Sequence, residues 1–457
     1  MRLTLQTRWK VAGRHLVYFG LPAKPGSFRR RRWISKRCRA LLSALDGTQD
    51  WDPDQLPRSL WRLVRDGILV EQPKPLPASL EEAEFCQSCC ANTYTIPGLE
   101  LDGQGICPIC RRREQLKNIR NILPLRNRIP ASPEAEFDVA VFYTGGKDSS
   151  YLLWHLACRQ KLRVLALTWQ VPFLSESASA SIRAAQSRLP NVTFWGKPLP
   201  DRALSAIYGR ARALQNSVCI CPYPAYLLFF PELVRRRVPY LVLGNEPAQC
   251  KALLFNQMAP APAFRPWVQA LWRLGVNGKR LLTGRKPFRA GQAELDQLMG
   301  MLAFGRNGLA ARFPNEFLDT VAESFQAAPE LLAPFQEAVR LGRRTGALPA
   351  LVHVDLGDLG EGYHWHSVKS LLEQELGWVA PEGERGLHTS CRIERCKEHA
   401  QWTRFRDMKS TLIPFSALEL SLAVNEGALS REEAIAELRN SGMGDQCPAE
   451  WALMESS

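Results

Sequence analysis

Through the middle of the chain, short apolar runs alternate with amphipathic stretches. Residues 139–142, 164–167, 192–194 and 241–243 read as buried strands, and 151–162, 177–189, 202–214 and 226–237 read as helices. This alternation predicts a doubly wound parallel sheet of the α/β class. After an alanine–proline stretch at 259–263, amphipathic helices are expected to about residue 344. A further strand is expected at 351–354, followed by helices. Ser430-Arg-Glu-Glu433 forms a capping box before the last of them. The N-terminal pattern is different. Leu3, Leu5 and Thr7 alternate as a strand, Gly13 turns the chain into a second strand at 15–19, and a third at 28–34 carries the arginines at 29–32. Leu41, Leu42 and Leu45 share a helical face before the turn Asp46-Gly47. Leu56, Leu60, Leu63 and Val64 share another, ended by Gly67. These elements suggest a winged-helix-like module over 1–73, and the proline-rich stretch from Gln72 to Pro77 reads as a linker.

Charge sharpens this division. The net charge is +14, yet residues 1–40 hold 12 Lys/Arg and no acid, so the other 417 residues carry only +2. The basic excess therefore belongs to one module, read as a solvated arm or as a surface for an acidic peptide or RNA rather than a general nucleic-acid surface. The arginines at 29–32 are expected on an exposed edge strand, where charge blocks self-pairing and can select an acidic ligand. Residues 261–290 form a second basic stretch, with seven Lys/Arg and no acid. Apolar residues make up 46% and charged residues 23%, the balance of a soluble globular chain. No long uncharged apolar run is found, so no membrane partner is expected. The N-terminus lacks the apolar core of a secretory signal, and a reducing, cytoplasmic location is expected. Thirteen cysteines are many for that compartment unless several bind metal or do chemistry.

Four of them are accounted for by spacing. Cys86-x-x-Cys89 and Cys107-x-x-Cys110, with 17 residues between them in a short, turn-rich segment expected to have little apolar core, can close a tetrahedral thiolate shell around Zn2+. Cys90 is an alternative ligand. A second pattern, His388-x-x-Cys391-x4-Cys396-x-x-His399, has ligand-like spacing for a second zinc, and it reads equally as a catalytic or substrate contact or as packing. Cys219 and Cys221 lie in a turn and can carry sulfur, bind a metal or merely pack. Cys391 could instead join them at an iron–sulfur centre. The remaining cysteines, at 38, 158, 250 and 447, read as small buried apolar residues.

The most informative stretch is the strand 138–142 followed by Thr144-Gly-Gly-Lys-Asp-Ser-Ser150 and a helix. Glycines let backbone amides approach phosphate oxygens. Thr144, Ser149 and Ser150 add hydroxyl donors, and Lys147 adds positive charge. Asp148 suits Mg2+ or an internal role in the loop. The pattern is neither GxxxxGK[ST] nor GxGxxG. It resembles the SGGxDS loop of the PP-loop ATP pyrophosphatases (adenine nucleotide alpha hydrolase-like, HUP domain), with Thr144 in the first Ser position. That resemblance implies cleavage of ATP between the α and β phosphates and adenylation of an acceptor oxygen. It places the nucleotide at Thr144, Gly145, Gly146, Lys147, Asp148, Ser149, Ser150 and Thr168, and at Gly244, Asn245 and Glu246. The last two also follow a strand end, where open α/β sheets bind ligands.

Within that class the chain resembles N-acetyl sugar amidotransferases. The four-cysteine segment with Pro97-Gly98, the loop, Cys219-Ile-Cys221 before 241–246, and Tyr363-His-Trp365 with Gly377-Trp378 carry the likeness. His366 stands where that family commonly has Asp, and one residue rather than two separates Cys219 from Cys221. The N-terminal module resembles the precursor-peptide recognition domain of peptide-modifying enzymes. Five regions are therefore expected: 1–73 for recognition, 84–115 for zinc, 130–258 for ATP, 260–345 as a basic helical insertion, and 346–457 completing the catalytic part. The function implied is an ATP-dependent amidotransferase acting on a nucleotide-linked sugar or a peptide. ATP, Mg2+ and Zn2+ are the expected cofactors, and Lys147, Asp148, Cys219, Cys221 and Cys391 the expected catalytic residues. Ammonia would come from a glutaminase-type partner or the medium. ATP-dependent sulfur transfer to tRNA and a non-catalytic ATP-binding adaptor are the alternatives.

Overall fold

The computed structural model describes residues 1–22, 30–45, 50–52, 56–117, 119, 121–214, 220–306, 315–359, 363–381, 387 and 390–449. Five strands form one fully parallel sheet: β6 (Val139–Phe142), β7 (Val164–Trp169), β8 (Val192–Lys197), β9 (Tyr240–Asn245) and β10 (Ala350–Asp355). They lie in the order β10-β9-β6-β7-β8. Successive side chains of a strand point to opposite faces, and both faces here meet a core. Val139, Val141, Val164, Ala166, Val242 and Val352 point into one core, and Ala140, Leu165, Leu167, Leu241 and Leu351 into the other. Double burial explains why these strands read as continuous apolar runs rather than alternating ones.

The first face is covered by the helices Lys147–Trp154, Pro247–Phe255, Trp365–Leu376 and Phe415–Glu426 and by the four-cysteine segment. The second is covered by Asp201–Ala213, Pro224–Arg235, Gln292–Phe304, Glu316–Phe325 and Pro329–Thr345. The helices after residue 290 thus close one side of the sheet and form the crossover from β9 to β10. Their attachment is tight. Gly291, at φ +98°, starts the helix Gln292–Phe304, and a Cβ there would meet Leu351 O at 2.5 Å. The Leu351 amide donates to Gly291 O at 3.1 Å, and Gln292 Nε2 donates to Leu348 O at 2.6 Å.

The N-terminal elements have their own small core around Leu3, Leu16, Ile34, Leu42, Leu60 and Leu69. β1 (Thr4–Leu5) pairs with β5 (Leu69–Val70). β2 (Trp9–Ala12), β3 (His15–Tyr18) and β4 (Arg31–Trp33) form an antiparallel sheet, with Gly13 at φ +59° in its first turn. The first strand expected from Leu3 to Thr7 is thus only Thr4–Leu5, and the strand that pairs with His15–Tyr18 across Gly13 is Trp9–Ala12, in a different sheet. The module does not hang from its linker alone. The Leu21 amide donates to Gly98 O at 3.0 Å, and Tyr18 OH donates to the same carbonyl at 2.7 Å.

Two arginines complete the junction. Arg8, 2% exposed, donates to Phe19 O and to the carbonyls of Phe405 and Arg406. Arg30, 4% exposed, donates to Thr411 O and, at 3.2 Å, to Phe255 O. Arg30 was expected on an exposed strand edge. Carbonyls left at the junction draw its guanidinium inward instead, and Arg32 pairs with Asp66 at 2.7 Å. The acidic-ligand surface expected at 29–32 thus retains only Arg31 as an exposed cation among the described residues; Phe28 and Arg29 lie outside them, as does the turn Asp46-Gly47. Arg8→Ala should leave three carbonyls at a buried junction without their donor. A loss of roughly 2–3 kcal/mol in urea unfolding is expected.

Candidate functional site

The sheet order places the loop after β6 and the chain after β9 side by side. β6 continues to β7 on one side, and the chain returns to β9 on the other, so the crevice between their C-terminal ends is the topological switch point. Gly145 turns the loop at φ +72°, and a Cβ there would meet Ala178 O at 2.4 Å. The indole of Trp378 donates to Gly145 O at 2.9 Å. Thr144 Oγ1 and Ser149 Oγ lie 3.1 Å apart at the outer side of the loop, and Thr144 Oγ1 accepts from the Gly146 amide at 3.4 Å. No side chain caps the helix Lys147–Trp154 at Gly146. Ser150 lies beneath the loop, fully buried, with its hydroxyl toward Tyr143 OH at 3.5 Å. Thr168 also serves the loop from below, donating to Tyr143 O at 2.9 Å. Gly244 packs against Leu152 and Leu356.

Lys147 points inward rather than over the loop. It is 4% exposed, and its ammonium donates to Asp148 Oδ1 at 2.7 Å and to Tyr363 OH at 2.6 Å. It also lies over the rings of Tyr363 and Trp365, at 4.5 and 4.6 Å, and 3.8 Å from Glu246 Oε2. Tyr363 OH donates to Asp148 Oδ1, and Gln249 Nε2 donates to Asp148 Oδ2 at 3.0 Å. Trp365 Nε1 donates to Glu246 Oε2 at 2.9 Å, while Glu246 Oε1 is buried with no hydrogen-bond partner among the described residues. Burial raises the Glu246 carboxyl to about 7; Lys147 pulls the other way, and the charge of Asp148 adds to the rise. Burial also drives the Tyr363 phenol well above its ordinary value, so it stays a neutral donor.

Glu246 and Tyr363 border a cleft of about 280 Å3, lined also by Asn121, Cys250, His353, Asp355 and Lys251. Asn121 Nδ2 approaches Cys250 Sγ at 3.6 Å, and His353 Nε2 lies 3.8 Å from the same sulfur. Burial pushes the Cys250 thiol up to about 12 and the His353 imidazole down to about 4, so both are neutral near pH 7.

The four knuckle cysteines come together. Cys86, Cys89 and Cys107 are fully buried, and all four sulfurs lie within 4.8 Å of one another. The pairs Cys86–Cys110 and Cys89–Cys107 are 3.7 and 3.6 Å apart. A tetrahedral Zn2+ with bonds of about 2.3 Å needs sulfurs about 3.8 Å apart, so the set fits that ion. The amides of Ser88, Ala91 and Cys107 donate to these sulfurs, which favours thiolates. Arg431 donates to the carbonyls of Cys86 and Cys89, and Asn425 Nδ2 to Cys110 Sγ at 3.4 Å. The group thus links the segment to the C-terminal helices. Cys90 is not part of it: its thiol faces Ser421 at 3.6 Å and is pushed up to about 12 by burial. The segment was expected to have little apolar core of its own, yet its cysteines sit in the main core.

The other thiols do not gather into a second metal group among the described residues. Cys219 and His388 lie outside them. Cys221 Sγ lies 3.1 Å from Tyr208 OH on the second face of the sheet. Cys391 bridges to Leu174, and Cys396 packs with Phe173 and Ile393. Of the residues around the loop, Gln249, Asn121 and His353 were not singled out from sequence. Gln249 lies one turn after Glu246, but nothing local marks Asn121 or His353. No protein-family model matches the chain. No curated protein is significantly similar to it. The chain is therefore described by what it contains, an α/β fold with a parallel five-stranded sheet and a four-cysteine group able to hold a metal such as zinc.

Two outcomes follow. Freshly purified protein should carry one Zn2+ per chain by elemental analysis. Cys89→Ser should release it and speed amide exchange both at 86–110 and in the helices 415–439, because metal ligation contributes to local folding. His353 has its folded value near 4, against 6.5 when exposed, so the unfolded chain binds the proton first as pH falls. Its contribution is complete above about 6.5 and is lost toward 4. In pH-dependent urea unfolding, His353→Gln should shrink the stability lost over that window by up to about 3 kcal/mol.

Proposed function

We propose that this chain is an ATP-dependent enzyme of the PP-loop pyrophosphatase type, which adenylates an acceptor oxygen and transfers nitrogen in its place. The observation that carries the reading is the strand–glycine turn–helix of residues 139–154, opening beside an acid-lined cleft at the switch point of the sheet. The triphosphate would lie against the loop amides and the hydroxyls of Thr144 and Ser149. The acceptor would occupy the cleft bordered by Glu246, Asn121 and Tyr363. Mg2+ would be held by Asp148 and would neutralise charge on the phosphates, while Glu246, whose buried Oε1 has no hydrogen-bond partner among the described residues, would stay free to accept a proton.

The acceptor oxygen attacks the α phosphorus and pyrophosphate leaves. Ammonia then attacks the activated carbon, AMP departs with the oxygen, and a proton of the nitrogen passes to the Glu246 carboxylate. Lys147 positions Asp148 and Glu246 through its buried contacts. Sulfur transfer is less well supported. The one thiol lining the cleft, Cys250, is raised to about 12, where little thiolate exists near pH 7. Whether the acceptor is a sugar or a peptide is decided by which compound accelerates pyrophosphate release.

With α-labelled ATP, the purified chain should yield labelled AMP and free pyrophosphate. Asp148→Asn should lower that rate by about 100-fold or more, assayed at a temperature where circular dichroism shows the variant to be as fully folded as the parent chain. Release of ADP and phosphate would exclude the mechanism. The transfer rate should rise with pH through about 7, as Glu246 loses its proton, and Glu246→Gln should remove that limb of the profile.

A further inference from the structure

The helix Pro266–Leu282 is docked on the protein by a polar and basic side and turns its apolar side outward. Gln269 Nε2 donates to Asn121 O and Ala263 O, both at 2.9 Å. Arg273 pairs with Glu294, and Arg280 is buried, its guanidinium 3.5 Å from the centre of the Phe288 ring and its Nε donating to Lys286 O at 2.8 Å. Trp272 and Val276 add apolar contact on the core side. Opposite them stand Trp267, Leu271, Leu274, Leu281 and Leu282, each between 59% and 90% exposed. These are five of the ten large apolar side chains that are exposed among the described residues. Steps of four, three and seven residues keep the first four on one helical face. The helix is anchored by several side chains on its inner side, so the outward stripe is a property of the folded protein.

The charge around the stripe selects what can cover it. Arg265, Lys279, Arg285, Lys286 and Arg289 are exposed at or beyond its two ends, and residues 261–290 contain no carboxylate. A second copy docked by the same face would bring two sets of these cations together with nothing in the segment to neutralise them. An anionic lipid surface supplies the missing charge and accepts the stripe. Apolar side chains enter the acyl boundary, Trp suits the interface, and Lys and Arg reach the headgroups. The helix is about 25 Å long, and an in-plane helix needs no membrane span; no described helix is long and apolar enough to form one.

We propose that the outward face of the helix Pro266–Leu282 binds in the plane of an anionic lipid surface, with its Trp–Leu stripe among the acyl chains and the flanking cations at the headgroups. The test is sedimentation of the full chain with vesicles of phosphatidylcholine alone, or with about one-third phosphatidylglycerol. Binding is expected to the anionic vesicles only, with a blue-shifted tryptophan emission and weakening by salt. Leu271→Ser combined with Leu274→Ser should lower partitioning about tenfold or more. Arg285→Glu combined with Lys286→Glu should do the same at low salt. Both pairs are exposed, so an unchanged melting temperature is expected and separates lost binding from lost folding. Failure to sediment with anionic vesicles, or equal binding to neutral ones, would overturn the proposal. So would a dimer in light scattering that Leu271→Ser with Leu274→Ser converts to monomer, which would assign the face to a second copy. Retention of the chain only by an acidic protein would overturn it as well.

Discussion

A buried ammonium holds the centre of this protein together. Lys147 comes from the start of a helix on the sheet, Glu246 from the end of β9, and Tyr363 and Trp365 from the C-terminal region. Taking a charge out of water is costly unless hydrogen bonds and counter-charges replace hydration. Asp148, Glu246, the Tyr363 hydroxyl and two aromatic faces supply that replacement, so these three segments must meet for any of them to be stable in place. The same requirement fixes the loop after β6 beside the cleft. It also explains the Glu246 carboxyl: its nearest cation is shared with Asp148, and burial outweighs the attraction that remains.

The periphery is built on a related rule. Backbone carbonyls at the edges of the main body are satisfied by arginines reaching across from distant segments. Arg8 reaches residues 405 and 406, Arg30 reaches 255 and 411, and Arg431 reaches 86 and 89. A guanidinium offers five donors in a planar fork, so one side chain can serve several carbonyls and still span two layers. The four-cysteine group reinforces one of these junctions, since its sulfurs and carbonyls both contact the last helices. The first and last parts of the chain are thereby held against the zinc-type segment and against each other.

The long crossover between β9 and β10 shows how one element meets two demands. One of its helices, Gln292–Phe304, packs on β10, two more pack on the helices of the second sheet face, and Gly291 lets the chain approach β10 backbone to backbone. The helix Pro266–Leu282 sits outside this layer and keeps its polar side inward. Its Gln269 and Arg280 find carbonyl partners there, so the polar groups are satisfied and the apolar face is left to solvent or to a partner.

Much of the architecture was legible because its signals are local. The apolar runs of the five strands, the helical spacing between them, the capping box at Ser430 and the glycine turn at 145 each follow from neighbours within a few residues. The two CxxC knuckles likewise predicted a group that the fold closes. What only the tertiary structure decided depends on residues far apart in sequence. A run of arginines does not reveal that Arg30 turns inward, because its carbonyl partners lie more than 200 positions away. A phosphate-type loop does not reveal that its lysine faces Tyr363 and Glu246. Periodicity shows that 266–282 is amphipathic but not which side is buried; that is settled by the polar partners the rest of the fold places beneath it. Burial, and with it the proton affinity of Glu246 and His353, is a property of the assembled neighbourhood, since it arises from water removed by segments that meet only on folding.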